Sequence, residues 1–312
     1  MNGFLFHGYS FLTIITVLLS AAVLIGINEI TRRSKKLSFA IYLYLPIVLI
    51  VLIALGVVSS PSTKNWFGVV KTLSAAAGVV GFLFIRFYKK VENSKFTIIF
   101  PSFILIFNCL EAIYRDFEFY FNYGGTSFFD PASNLLLTGG AWNILNGIAG
   151  ILMIAAITGH AGIKISNDRF RDMVWPDQHI WWVIGYTIWN FAYCYNCIST
   201  RSMYAGFLLM ISCGICELFI KKGAWLQHRA QTLAFFGMFS LAFDYQSMGA
   251  FGITASYNPK AWMFVSLLSF VFNLGLFSFT VYKIIKVKKN PFKYDIFTDL
   301  KEYKEIVKIN NL

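Results

Sequence analysis

The segment Glu111-Ala-Ile-Tyr-Arg115-Asp116-Phe-Glu118 crowds ionisable side chains into the end of an apolar run that begins near residue 97. Charge inside lipid is costly and is placed where it meets a partner or a cavity. Glu111 and Arg115 are four residues apart on one helix face and are expected to pair. Asp116 and Glu118 point elsewhere and need another partner, or reach outer water. Lys71 lies at comparable depth in the run 67–87, and Asp244, with Gln246, lies near the end of the run 226–246. Lys71, Glu111, Arg115, Asp116 and Asp244 are therefore expected to wall an outward-facing polar vestibule for a small polar or ionic solute. The competing expectation is an interhelical salt-bridge network that only locks helices together.

Neutral polar groups extend this set. Asn108, Asn143, Asn146, Asn190, Asn196, Gln231 and Asn273 sit in apolar runs. Asn143 and Asn146 share a face beside Gly147 and Gly150, the pattern of amides and small residues that holds helices together. Asn143 and Asn190 are also candidates for solute contact, with Trp142, Tyr186, Trp189, Tyr193 and Tyr204 as aromatic walls. Glu217 is four residues before Lys221 and is expected to pair with it or to snorkel, with a protonatable inner gate as the alternative.

Two CxxC pairs, Cys194/Cys197 and Cys213/Cys216, have the spacing of a zinc ribbon. If their helices run in opposite directions, Cys197 and Cys216 are separated by roughly 16 Å along the membrane normal. Zn–S bonds of about 2.3 Å rule out one shared ion, so small apolar packing residues are expected. His7, His160, His179 and His228 show no HxxxH or HExxH pairing. The chain contains no GxxxxGK[ST] loop, no GxSxG elbow and no TVGYG filter. No catalytic residue, cofactor or metal is expected from these patterns.

The elements that must position these groups are membrane helices. The 312 residues are 57% hydrophobic and 13% charged, against about 25% charged in soluble domains. Nine apolar runs approach the roughly 20 residues that cross a bilayer: 8–30, 37–58, 67–87, 97–121, 139–160, 180–199, 203–221, 226–246 and 262–285. Of the 27 Lys and Arg, all but Lys64, Lys71, Arg115, Arg201 and Lys260 follow the odd-numbered runs. Cytoplasmic loops retain basic residues, so an all-α bundle of nine spans is expected, N-terminus outside and C-terminus cytoplasmic, in the plasma membrane. Met1 to Ser10 holds no Lys or Arg and basic residues follow the first run, so that run is expected to be a signal-anchor and not a cleaved signal peptide. The net charge of +12 is then a matter of sidedness and does not imply nucleic acid.

A transmembrane domain, 1–286, precedes a basic tail, 287–312. Lys286-Val-Lys288-Lys289-Asn-Pro-Phe-Lys293 is suited to anionic lipid head groups. Phe297, Leu300, Tyr303, Ile306 and Val307 recur at helical spacing, predicting an amphipathic helix on the cytoplasmic face. Segments 122–138 and 247–261 are expected to form lids or re-entrant pieces. Asp177 is expected to cap the sixth span, and Pro101 and Gly214 are candidate helix breaks.

The stretch Tyr186-Thr-Ile-Trp189-Asn190-Phe-Ala-Tyr193-Cys-Tyr195-Asn-Cys197-Ile-Ser-Thr-Arg201-Ser202-Met-Tyr204-Ala-Gly206 resembles a motif in an uncharacterised family of polytopic membrane proteins, a domain of unknown function. The resemblance implies a membrane location and carries no catalytic residues. A transporter or permease is the leading expectation. A membrane enzyme acting on lipid or an isoprenoid carrier, and a sensor or assembly partner signalling through the tail, are the alternatives.

Overall fold

A computed structural model describes residues 3–312. Among the described residues, six helices are long and apolar enough to cross a membrane. They are α1 (Phe11–Arg33), α2 (Lys35–Ala54), α3 (Trp66–Phe87), α4 (Lys95–Tyr123), α7 (Ser199–Ile220) and α9 (Pro259–Val287). Between them lie α5 (Ala141–Ala155), α6 (Ile180–Cys197) and α8 (Trp225–Ala242). A last helix, α10, spans Lys301–Ile309.

Local chemistry sets the starts. Ser10 and Thr13 form a reciprocal capping box at α1, with Ser10 Oγ accepting from Thr13 N. Asn65 caps α3, and Asn258 caps α9 with Pro259 in its first turn. His179, not the predicted Asp177, caps α6. The chain needs Asp177 two residues earlier, where its carboxylate accepts from the backbone N–H groups of Ile296 and Phe297 and from Thr158. Neither proposed break interrupts a helix. Pro101 sits within continuous α4. Gly214 lies in the regular centre of α7, and the wide π turns of that helix fall on either side, at Ser202–Leu208 and Cys216–Ile220.

The helices run between two ends. At the hairpin end, β1 (Phe6–His7) pairs with β6 (Thr254–Ala255), and β2 (Ser127–Asp130) pairs antiparallel with β3 (Leu135–Thr138). The expected lids are thus a hairpin and a strand-bearing loop tied to the N-terminal segment. At the tail end, β4 (Lys164–Ile165) pairs with β5 (Met173–Val174), and basic residues from successive loops converge on carboxylates. Asp172 is fully buried between Arg32 (2.6 Å) and Arg86 (3.4 Å). Arg171 reaches Glu92, and Lys221 reaches Asp168 at 2.5 Å. The predicted Glu217–Lys221 pair is not made, because Lys221 turns to Asp168 while Glu217 accepts from Gly223 N.

The tail docks on the bundle and does not lie free on a surface. Regular helix begins only at Lys301, so Phe297 and Leu300 precede it. Ile296, Phe297 and Ile306 are buried. Ile306 enters a niche where Gly223, at φ +87°, leaves no room for a Cβ. Glu302 accepts from Ile180 N at the start of α6, and Lys283 holds Asp299 at 2.6 Å. The polar face of α10 is therefore used on protein contacts that a pattern of apolar spacing cannot reveal.

Replacement of Asp177 by Asn is expected to loosen this docking. It weakens acceptance from two buried N–H groups, each costing about 1–3 kcal/mol when stranded. Trypsin cleavage within 286–293 should accelerate about tenfold or more at neutral pH, and an unchanged rate would refute the latch. The pH dependence has a definite sign. Burial pushes the Asp177 carboxyl up to about 6, against its hydrogen bonds from Thr158, Ile296 and Phe297. Burial, aided by the nearby Lys283 charge, takes His179 down to about 4. The raised Asp177 contributes stability below about pH 4 that is lost as pH rises to about 6. The depressed His179 contributes stability above about pH 6.5 that is lost as pH falls to about 4. The two slopes oppose each other in the wild type. In Asp177→Asn only the histidine slope remains, so thermal stability should rise between pH 4.5 and 6.5 more steeply than in the wild type.

Candidate functional site

A cavity of about 100 Å³ opens between α3, α6, α7 and α8. Its floor and walls come from helix spacing. Gly237 of α8 faces Thr72 of α3, where a Cβ would stand 2.6 Å from the threonine hydroxyl. Gly68 leaves room for the loop after α2, and a Cβ there would lie 2.7 Å from Ser62 O. Below this contact the helices separate around Phe67, Leu209, Leu233 and Phe236. Ser240 and Arg229 both line the space. They are eleven residues apart on α8, so the cavity runs roughly 16 Å along the helix axis.

Its polar lining is cationic. Lys71 of α3, Arg201 of α7 and Arg229 of α8 all face it, and no carboxylate among the described residues lines it. Lys71 pairs with Glu111 at 3.1 Å and also donates to Asn108 O. Arg201 closes the hairpin end. Its guanidinium donates to Ser62 Oγ (2.7 Å), Ser133 O (2.5 Å) and Gln246 Oε1 (2.5 Å). Ser62 in turn bonds Ser240. One side chain thereby clasps the loop after α2, the β2–β3 turn and the segment after α8. Arg229 is 4% exposed. It donates to Tyr186 Oη (3.1 Å) and Asn190 Oδ1 (3.3 Å), and its Nη1 is buried without a partner among the described residues.

The expected vestibule residues do not converge on one place. Lys71 and Asn190 reach the cavity, and Glu111 touches it only through Lys71. Arg115 pairs with Glu118 at 2.5 Å, so the predicted Glu111–Arg115 pair is not formed. The reason is that Lys71 and Ser74 of α3 present themselves to Glu111 across the helix interface. Asp116 and Asn143 lie away from the cavity in a buried knot. Asp116 accepts from Asn146 (2.7 Å), Asn143 (3.0 Å) and Cys197 (3.4 Å), and Ser269 of α9 closes the knot on Asn146. Asp244 is exposed past the end of α8 and joins neither group.

The cysteine pairs have different surroundings. Cys197 faces Asp116, whereas Cys216 meets Asn28 and Cys213 lies near Trp225 O. Of the aromatic candidates, Tyr193 lines the cavity with an unpartnered buried hydroxyl, and Tyr186 holds Arg229. Trp142 instead stacks on Trp262.

Arg201 and Arg229 are the residues that sequence patterns assigned elsewhere. Both stand at helix ends, where a basic residue ordinarily counts as loop charge. A usable signal existed in Gln227-His228-Arg229-Ala-Gln231. Four polar residues in under two turns, with no acid on the same helix, must find partners on other helices.

Six helices long and apolar enough to cross a membrane, packed with three shorter ones around a cavity and a buried hydrogen-bonded knot, fit a polytopic helical membrane protein. The chain belongs to DUF5692, a family of unknown function, whose sequence profile matches residues 7–309. No curated protein and no solved structure matches it.

Proposed function

We propose that this chain crosses the plasma membrane nine times, N-terminus outside and C-terminus cytoplasmic, and transports a small polar or ionic solute through the cavity between α3, α6, α7 and α8. The observation that carries the reading is a cavity in an apolar bundle that Lys71, Arg201 and Arg229 face, since such groups are retained in lipid where they meet a partner or a passenger. The nine-span topology rests on α5, α6 and α8 completing the alternation of the six long apolar helices between the two ends. The sidedness rests on the basic loops gathered at the tail end. Lys71 and Asn190 serve as solute contacts, and Glu111 sets the Lys71 ammonium. Arg115, Asp116 and Asn143 contribute through the fold around the site, and Asp244 lies outside it. The exposed Lys286, Lys288, Lys289 and Lys293 meet anionic lipid head groups, with 287–312 as a cytoplasmic cap on the membrane domain.

In this reading Arg201 is the outer gate. Its three bonds close the cavity mouth, and Arg201→Ala removes all of them. In a Cys194→Ala background, a cysteine at Ala205 is expected to react slowly with a membrane-impermeant thiol reagent applied outside intact cells. Adding Arg201→Ala should raise that rate about tenfold, the equivalent of about 1.4 kcal/mol of gate closure. Labelling only from the cytoplasmic side would reverse the orientation. A reactive cavity in proteoliposomes that pass none of a panel of ions, sugars and amino acids would remove transport.

A further inference from the structure

We propose that the cavity is an anion site whose central ligand is Arg229, so that the solute is a small carboxylate or inorganic oxyanion. This rests on the reading of the cavity as a solute site and specifies its chemistry.

A guanidinium is always charged in proteins, and a buried charge without a counter-ion costs several kcal/mol. Most deep basic residues of this chain meet an acid. Arg32 and Arg86 share Asp172, Lys71 has Glu111, and Arg115 has Glu118. Arg86 also leaves one nitrogen unpaired, but its charge is answered by Asp172. Arg229 has no carboxylate within ion-pair distance among the described residues. Its partners are a phenol and an amide oxygen, and they leave Nη1 free.

The other groups facing the same space are suited to an anion. Tyr193 Oη is buried and unpartnered, and can donate. Asn190 turns its oxygen to Arg229, leaving its Nδ2 with only a 3.8 Å contact to Cys194 Sγ. The Lys71 ammonium supplies further positive charge, and Arg201 places another cation at the mouth. Asp116, a buried acid held by neutral donors, is not among the lining residues. An oxyanion with several acceptor atoms satisfies the free nitrogen, the phenol and the amide together, as charge-assisted bonds that exceed neutral ones in strength. The volume of about 100 Å³ limits the ligand to a few heavy atoms.

The test is thermal unfolding of the full-length protein in detergent, titrated with acetate, phosphate, sulfate and chloride at fixed ionic strength set with a bulky buffer anion. Parallel titrations use glycerol, glucose and choline. Saturable stabilisation by acetate, phosphate or sulfate is expected in the wild type. The apparent Kd should rise at least tenfold in Arg229→Gln and less in Arg229→Lys. Ala205→Leu, which narrows the cavity without touching a charge, should also abolish the effect and serves if Arg229→Gln fails to fold. Acetate and phosphate arms separate the two oxyanion sources.

Stabilisation by chloride alone, or equal anion stabilisation in wild type and folded variants, overturns the proposal. Saturable binding of a neutral or cationic solute, lost in Ala205→Leu, would leave the cavity reading intact and defeat the anion. Binding of nothing by the wild type would defeat both.

Discussion

Asp172→Ala is expected to lower the melting temperature of the purified protein by roughly 10 °C or more, the largest effect of any single substitution considered. Asp172 is fully buried, and its two oxygens meet Arg32, Arg86 and Gln227. Arg32 retains Glu29 when Asp172 is removed, but Arg86 retains only carbonyl partners, on Arg32, Phe170 and Arg171. Removing one partner of a buried ion pair costs about 3–5 kcal/mol, and in a chain of this size each kcal/mol shifts Tm by about 2–4 °C. The damage comes from the stranded guanidinium, so the double replacement Asp172→Leu with Arg86→Met should recover part of the loss. A melting temperature within a degree or two of wild type in Asp172→Ala would show that Arg86 does not depend on the carboxylate. Because Asp172 joins α1, α3 and α8 through one loop, its loss should also loosen the whole tail end and speed cleavage of the docked tail.

Asp116→Ala is the second large effect, with an expected cost of about 2–4 kcal/mol. Asp116 is buried at 0% exposure and accepts from side chains on α5 and α6. Its removal strands the Nδ2 groups of Asn143 and Asn146, each an unsatisfied buried donor worth about 1–3 kcal/mol. The consequence spreads locally. Asn143 Oδ1 accepts from Gly140 N and starts α5, and Trp189 Nε1 donates to Asn146 O where Gly150 lets α5 and α6 approach. Asp116→Asn should be intermediate, since an amide keeps one acceptor but turns donors toward donors. Thermal unfolding of the two variants beside Asn143→Ala separates the roles. If Asp116 were a solute ligand and nothing else, both would unfold like wild type and differ only in transport. In a structural knot, the loss for Asp116→Ala and Asn143→Ala together is less than the sum of the two.

These two carboxylates mark the boundary of what patterns in the chain can reveal. Asp116 is visible as a charge in an apolar run, and its need for a partner, or for outer water, was expected. Its partners were not, because Asn143 and Asn146 belong to another helix and the pairing depends on how α4 and α5 face each other. Asp172 gave no signal, since it lies in a polar loop where an acid is ordinary. Only the folding of that loop between α1, α3 and α8 makes it a buried counter-ion. The cavity divides likewise. Lys71 and Asn190 stood out as polar groups on apolar helices, whereas Arg201 and Arg229 were hidden by their position at helix ends. Asp244 looked equivalent to Lys71 in sequence and lies outside, because α8 ends at Ala242 and the chain leaves the bundle there.

Composition and run length by themselves determined an all-α bundle with helices suited to a membrane, because fitness to cross lipid depends on how much apolar surface there is and in what lengths. The alternation of basic segments along the chain set an expected sidedness by the same local logic. The tertiary structure alone decided which acid answers which base, that Arg201 and Arg229 were left without one among the described residues, and that the tail folds back onto α6. Those outcomes depend on distances of a few ångströms between residues as much as 252 positions apart, as between Phe4 and Ser256. Coulomb and hydrogen-bond energies fall steeply over such distances, so no spacing along the chain encodes them.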